Sequence, residues 1–249
     1  MNYQIAIPTY KRSNCIQTLN FLKKENVPIF LITLFVADQD EYDKYYEKYS
    51  EYKIVIGIKG IRNQRNFINN YYEDNEYIIS MDDDISDLIN VKEIQFNQWI
   101  YEAIEFMKSK NIGLLGVSPV TNIHWTKSKK GEAFKAGRYL AVGVFQIYKV
   151  RKYYNLTLEY MEDYERSMLY LNEDGAVGRY DAVCIKTTFW KSGGCCASGR
   201  DFNTHSESAY KLVNMFPNDL FINMKKITQL SKIDLVPNVR MRRKPLILT

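Results

Sequence analysis

Histidine, proline and cysteine are all scarce: two, six and four residues in a chain of 249. Two histidines cannot build a histidine-rich metal centre. The cysteines, Cys15, Cys184, Cys195 and Cys196, lack metal-site spacing, and the adjacent pair is poorly placed to bridge to itself. No apolar run approaches the length that spans a bilayer, so no membrane partner is expected. There is no Pro/Gly/Ser linker and no internal repeat, which argues for one domain. Tyr3 to Ile7 reads as a strand starting almost at the first residue. That leaves no room for a signal peptide, and with the cysteine usage it sets the expectation of a reducing cytoplasm. Nothing in the sequence marks an oligomeric state.

What the chain does have is a 46% hydrophobic content, enough for a sizeable core, and a net charge of +5, which permits an anionic partner such as a nucleotide or nucleic acid. Twenty tyrosines are unusual. Tyr42, Tyr45, Tyr46, Tyr49 and Tyr52 recur at helical spacing, which suits packing better than base stacking. The most telling stretch is Tyr77-Ile78-Ile79-Ser80-Met81-Asp82-Asp83-Asp84, a buried-strand pattern running into three carboxylates. Consecutive acids repel one another, so a fold keeps them at a strand end where something cationic compensates. Hard oxygen ligands suit Mg or Mn carrying phosphates. The alternatives are a solvated acidic turn, or a helix start capped by Asp84 or Ser86.

Periodicity predicts strands at Tyr3–Ile7, Ile29–Val36, Lys53–Ile58, Tyr77–Met81, Gly113–Ser118, Tyr139–Tyr148 and Val177–Ile185. Helices alternate with them: one carrying Ile16, Leu19 and Leu22 behind a Ser13 or Asn14 cap, the Tyr-rich helix, and helices with Phe67 and Ile68, with Phe96 to Met107, with Met161 to Leu171, and from Ser206 to Met215. The predicted class is α/β: a single Rossmann-like domain over residues 1–249, with a mostly parallel sheet flanked by helices. Residues 1–110 would form a nucleotide-binding half and 111–249 an acceptor-binding half. Ligands gather outside strand carboxyl ends in such sheets. Pro8 to Arg12, Asp38, Gly60 to Arg65 and Asp82 to Asp84 all fall there.

The pieces Ile5-Ala6-Ile7-Pro8-Thr9-Tyr10, the Asp38 and Arg62 loops, Asp82-Asp83-Asp84 and Met161-Glu162-Asp163-Tyr164-Glu165-Arg166 resemble the GT-A type of nucleotide-sugar glycosyltransferase. Arg62-Asn63, Glu162-Asp163, Arg179-Tyr180-Asp181 and Gly199-Arg200-Asp201-Phe202 make the chain look most like the TET-associated glycosyltransferases of phages and related mobile elements. The resemblance implies a divalent metal (Mn or Mg) held by Asp84, Asp82 and the late His205, and a UDP-sugar donor. Pro8, Thr9, Tyr10, Arg12, Asp38, Arg62, Arg65, Asn66, Asp82 and Asp83 would bind that donor. Asp163, with Glu162, would be the base for an inverting transfer. It also implies hydroxymethylated pyrimidine in DNA as acceptor, and a host cytoplasm if the chain is phage-encoded. The basic loop from Lys127 to Arg138, Lys225-Lys226 and the tail Arg240 to Lys244 agree in sign with phosphate contact.

Other readings compete residue by residue. A solvated helix face fits Arg65 better than Arg62, Glu162 and Arg166 are spaced as an ordinary helix surface pair, and His205 suits a helix start. A polysaccharide, lipid or protein acceptor would tolerate the basic segments equally. A nucleotidyltransferase also uses strand-end carboxylates but usually begins with a glycine-rich phosphate loop, which Ile7-Pro8-Thr9-Tyr10 lacks. A nucleic-acid-binding module needs no ordered acid cluster.

Overall fold

The computed structural model describes residues 3–90, 94–118, 134–187, 202–223, 228–229, 235–236 and 239–243. In chain order it contains β1 (Tyr3–Pro8), α1 (Gln17–Lys24), a 3-10 turn (Ile29–Leu31), β2 (Ile32–Val36), α2 (Gln39–Tyr49), β3 (Lys53–Ile56), α3 (Ile61–Tyr71), β4 (Tyr77–Met81), β5 (Ile85–Asn90) and α4 (Phe96–Lys110). Then come β6 (Leu114–Ser118), β7 (Phe134–Gly137), β8 (Phe145–Lys149), α5 (Glu162–Asp174), β9 (Val177–Thr187) and α6 (Phe202–Met215). The short strands β10 (Leu220–Ile222), β11 (Thr228–Gln229), β12 (Leu235–Val236) and β13 (Val239–Met241) follow.

The main sheet runs β3-β2-β1-β4-β8-β6-β9-β5, with β7 also on β9. Its first four strands are parallel in the order 3-2-1-4 of a doubly wound sheet. The strand order reverses between β1 and β4, the point at which such sheets form a crevice outside the strand carboxyl ends. Beyond β4 the sheet is mixed: β8 is antiparallel to β4 and β6, β9 is parallel to β6, and β5 and β7 are antiparallel to β9. The Rossmann-like α/β expectation stands, but the sheet is mixed rather than mostly parallel: its parallel pairs are those of β1 to β4 and the pair β6–β9.

Alternation along the strands sorts the core into two layers. Ile5, Ile7, Leu34, Val36, Ile79, Met81, Phe145 and Ile147 pack with α1 and α4 on one face. Ala6, Phe35, Ile78, Leu114 and Tyr148 pack with α3, α5 and α6 on the other. Trp99 is 1% exposed and its ring meets Phe96, Phe145 and Tyr180 at 5.4 Å.

Several local expectations change. Ile29 to Leu31 form a 3-10 turn rather than the start of β2, because Pro28 sets an extended entry and Leu31 N–H closes on its carbonyl. α1 begins after Ile16 without a side-chain cap, so neither Ser13 nor Asn14 serves. The Tyr139–Tyr148 strand is β8 alone. β5, unforeseen, exists because Thr18 Oγ1 accepts from Ile85 N (3.0 Å) and donates to the Asp82 carbonyl (2.5 Å), turning the chain away from β4. Tyr45 is fully buried as expected, whereas Tyr46 is 53% exposed.

Candidate functional site

β4 delivers the three aspartates to the crevice, and there they diverge. Asp83 is buried: it accepts from Thr9 Oγ1 (2.6 Å) and pairs with Arg12. Asp84 accepts from Thr187 Oγ1 at 2.7 Å on one oxygen and meets Arg12 Nη1 at 3.1 Å on the other. Asp82 accepts from Arg65 Nη2 at 3.1 Å through Oδ1. The compensating cations in contact with the acids are therefore arginines. Of the six carboxylate oxygens in the run, Asp82 Oδ2 alone has no protein partner among the described residues.

Burial pushes the Asp82 carboxyl up to about 7; Asp84, Asp83 and Glu162 add to this, and Arg65 opposes it. Its side chain nonetheless keeps 36% exposure at the crevice mouth, and solvent there tempers the rise. Burial raises Asp83 too, against the pull of Arg12 and Thr9.

The β1 loop forms one rim. Tyr45 OH lies 2.7 Å from Thr9 Oγ1 and accepts from Arg12 N (2.9 Å), while Glu41 accepts from Lys11 N (2.6 Å). Tyr10 lies beneath two ammonium groups, Lys11 at 5.2 Å and Lys59 at 5.6 Å from its ring centre. Lys59 arrives on the β3–α3 turn, where Gly60 has φ +93°, a conformation side chains other than glycine rarely adopt.

α3 and α5 form the opposite wall, joined through Arg65. That residue is 2% exposed and donates to Ser80 Oγ (2.8 Å), Glu162 Oε1 (2.9 Å), Asp82 Oδ1 (3.1 Å) and the Gly143 carbonyl (3.2 Å). A solvated helix face is thus the wrong reading for Arg65, and the Glu162–Arg166 surface pair does not form. Arg166 is buried, with Nη1 on Gln146 Oε1 at 3.0 Å and its guanidinium 4.4 Å from the Tyr148 ring centre. Asp163 accepts from Gly143 N (2.8 Å) and Tyr164 N (2.9 Å). Burial first, then the Glu162 charge, pushes its carboxyl up to about 6; the Gly143 N–H and Arg65 restrain it.

Three expected ligand-binding residues are engaged elsewhere. Asp38 is the N-cap of α2, accepting from Glu41 N at 2.9 Å. Arg62 pairs with Glu159 (2.7 Å), outside the carboxylate cluster. Asn66 clasps Leu156, N–H and carbonyl both at 2.9 Å. Pro8 ends β1, buried below the loop. The structure brings together Thr9, Tyr10, Arg12, Asp82, Asp83 and Asp84 on one side, and Arg65, Glu162 and Asp163 on the other. His205 stacks on Tyr160 (6.1 Å), and no group of three His, Cys, Asp or Glu among the described residues is placed to share a metal ion. The donor set Asp82, Asp84 and His205 therefore does not assemble. A lesser arrangement does fit: Asp82 Oδ2 as one protein ligand to a Mg ion otherwise bound by substrate phosphates and water.

Sequence reading missed Thr18, Tyr45, Ser80, Gly143 and Thr187, which hold the acids in place. Only Thr9 and Arg12 carried a local signal, through their position after β1. The basic loop and the Gly199-Arg200-Asp201 segment fall mainly on residues 119–133 and 188–201, outside the described residues, as do Lys225-Lys226 and Lys244.

No protein-family model and no curated protein matches the chain. Solved structures do. A mycobacterial protein aligns over 100% of this chain and 85% of its own, with a TM-score of 0.50 at 7% identity. A CMP:2-keto-3-deoxy-manno-octonic acid synthetase complexed with CTP covers 72% and 88%, at TM-score 0.40 and 11% identity. The 4-diphosphocytidyl-2C-methyl-D-erythritol synthase of Anaerococcus prevotii DSM 20548 covers 76% and 91%, at TM-score 0.39 and 11% identity. At these identities the likeness is one of fold. The glycosyltransferase expectation is corrected in that none of these neighbours is named as one: the two named by activity are a synthetase and a synthase.

Proposed function

We propose that the chain is a nucleotidyltransferase that binds a nucleoside triphosphate along the carboxyl ends of β1 and β4 and passes its nucleotidyl group to an acceptor oxygen already carrying negative charge. One observation carries this reading. Glu162 is buried against Arg65 through Oε1 and the two oxygens of Asp163 accept from backbone N–H groups, while Asp82 Oδ2 stands open and solvent-accessible at the strand end. A hydroxyl acceptor needs a base within reach. A phosphate or carboxylate acceptor does not.

In the step, the acceptor oxygen attacks the α-phosphorus. The bond from that phosphorus to the oxygen bridging the β-phosphate breaks, and pyrophosphate leaves with the electron pair. Lys11 and Lys59 supply positive charge on the rim in place of a glycine-rich loop, and the Tyr10 ring offers a face to the base. Arg12 lies between Asp83 and Asp84 and offsets part of their charge, so the incoming triphosphate meets less repulsion than three unpaired carboxylates would give. A divalent cation at Asp82 would neutralise charge between the phosphates.

The test is pyrophosphate release from CTP, UTP, ATP or GTP with Mg or Mn, using sugar phosphates and sugar carboxylates as acceptors. CTP comes first because one structural neighbour was solved with it. Release should fall about 100-fold or more in Asp82→Asn, the scale of losing one transition-state electrostatic contact. Absence of release with every nucleotide and acceptor, or release indifferent to Asp82→Asn, overturns the proposal.

A further inference from the structure

We propose that Arg65 is a positioning residue that couples the two walls of the crevice, so that nucleotide bound at Asp82 orders the acceptor wall from Gly143 to Tyr164. This rests on the nucleotide-binding reading above. The guanidinium bonds span the site: Ser80 on β4 and Asp82 just after it, the Gly143 carbonyl before β8, and Glu162 at the start of α5. Gly143 passes the connection on, its N–H donating to Asp163 Oδ2 at 2.8 Å.

The junction has no slack. A Cβ on Gly143 would stand 2.9 Å from Arg65 Nη2 and 3.1 Å from Asp163 Cβ, so backbone fills the gap between those side chains. Groups packed this closely transmit a shift rather than absorb it. The direction of the effect follows from charge. A divalent cation carried by the nucleotide, held at Asp82 Oδ2, would draw on that carboxylate and weaken its hold on Arg65 Nη2. The freed share of the guanidinium charge then falls to Glu162 Oε1 and the Gly143 carbonyl. Both lie on the acceptor wall, which tightens. An inert brace would hold the same residues yet show no dependence on nucleotide.

Amide hydrogen exchange with and without saturating Mg·CTP (or whichever triphosphate binds in calorimetry) separates the two. In the wild-type chain, nucleotide should slow exchange at Gly143 and Tyr164 about fivefold or more, the lower range of allosteric couplings. In Arg65→Lys, which keeps the charge but not the four-way geometry, the slowing should fall below about twofold while nucleotide still binds. Gly143→Ala, which keeps Arg65 and wedges a methyl into the junction, should lose the slowing as well and decides the matter if Arg65→Lys does not fold. Equal slowing in the wild-type chain and the folded variant, or wild-type binding without slowing at either amide, overturns the coupling and leaves the functional reading intact. Failure of every triphosphate to bind the wild-type chain overturns both.

Discussion

The two faces of the central sheet are built on different principles. Toward α1 and α4, β1, β4 and β8 present Ile5, Ile7, Ile79, Met81, Phe145 and Ile147 to Trp99 and its neighbours. Toward α3 and α5 the same strands set Ser80 and Gln146 among Ala6, Ile78 and Tyr148, and the helices answer with Arg65, Glu162 and Arg166, all at most 7% exposed. An apolar layer is stabilised by area and fit. A buried polar layer holds only if its charges are paired and bonded, and it gains orientation rather than net stability. The polar layer lies directly under the divergent aspartates, so the chain places its costly side chains where geometry matters for ligands.

Substitutions can break each face in its own way. The largest effect expected is on the polar side: Arg65→Met should cost about 3–5 kcal/mol in urea unfolding, because Glu162 is left buried without its partner and Asp82 loses its ion pair. Adding Glu162→Gln should recover much of that loss, whereas a packing role would give no recovery. Trp99→Ala on the apolar face should cost a comparable or slightly smaller amount, about 3–4 kcal/mol, by opening a cavity that no second polar change repairs.

A smaller effect concerns Asp163. Its folded pKa of about 6 lies above the ordinary carboxylate value, so the native state holds a proton that the unfolded chain releases earlier. Its contribution is therefore present at acid pH, below the unfolded value, and is lost as pH rises through about 6. Asp163→Asn should accordingly gain stability relative to the wild-type chain between pH 5 and pH 8, by about 1 kcal/mol after allowance for solvent. Denaturant midpoints at the two pH values check the sign. The smallest change is expected for Arg166→Met, within about 1 kcal/mol of neutral. Burial already lowers the pKa of this guanidinium, and no carboxylate lies within ion-pair distance of it among the described residues.

Legibility in the sequence followed the same divide. Strand and helix periodicity disclosed β1 to β4 with α1 to α4, and hence the crevice, because apolar alternation is local. The acids were visible as a run, but their partners were not. Arg65 reads as a surface residue from its neighbours Asn63, Gln64 and Asn66, and its burial depends on Glu162, 97 residues away. Thr187 reaches Asp84 across 103 residues. Asp38 looked like a ligand-binding acid because an N-cap and a ribose contact both call for a carboxylate after a strand. β5 escaped notice because Ile85 to Asn90 mixes polar and apolar residues, and its pairing with β9 is set at long range.

The most direct measurement is the stabilisation of the chain by Mg·CTP, with the other triphosphates alongside, in the wild-type chain and in Asp82→Asn. A ligand at a hundred times its dissociation constant raises stability by about 2.7 kcal/mol. The account expects a rise of that order in the wild-type chain, dependent on the divalent cation and lost in Asp82→Asn. Equal stabilisation in both chains, or none by any triphosphate, would contradict a nucleotide site at the end of β4.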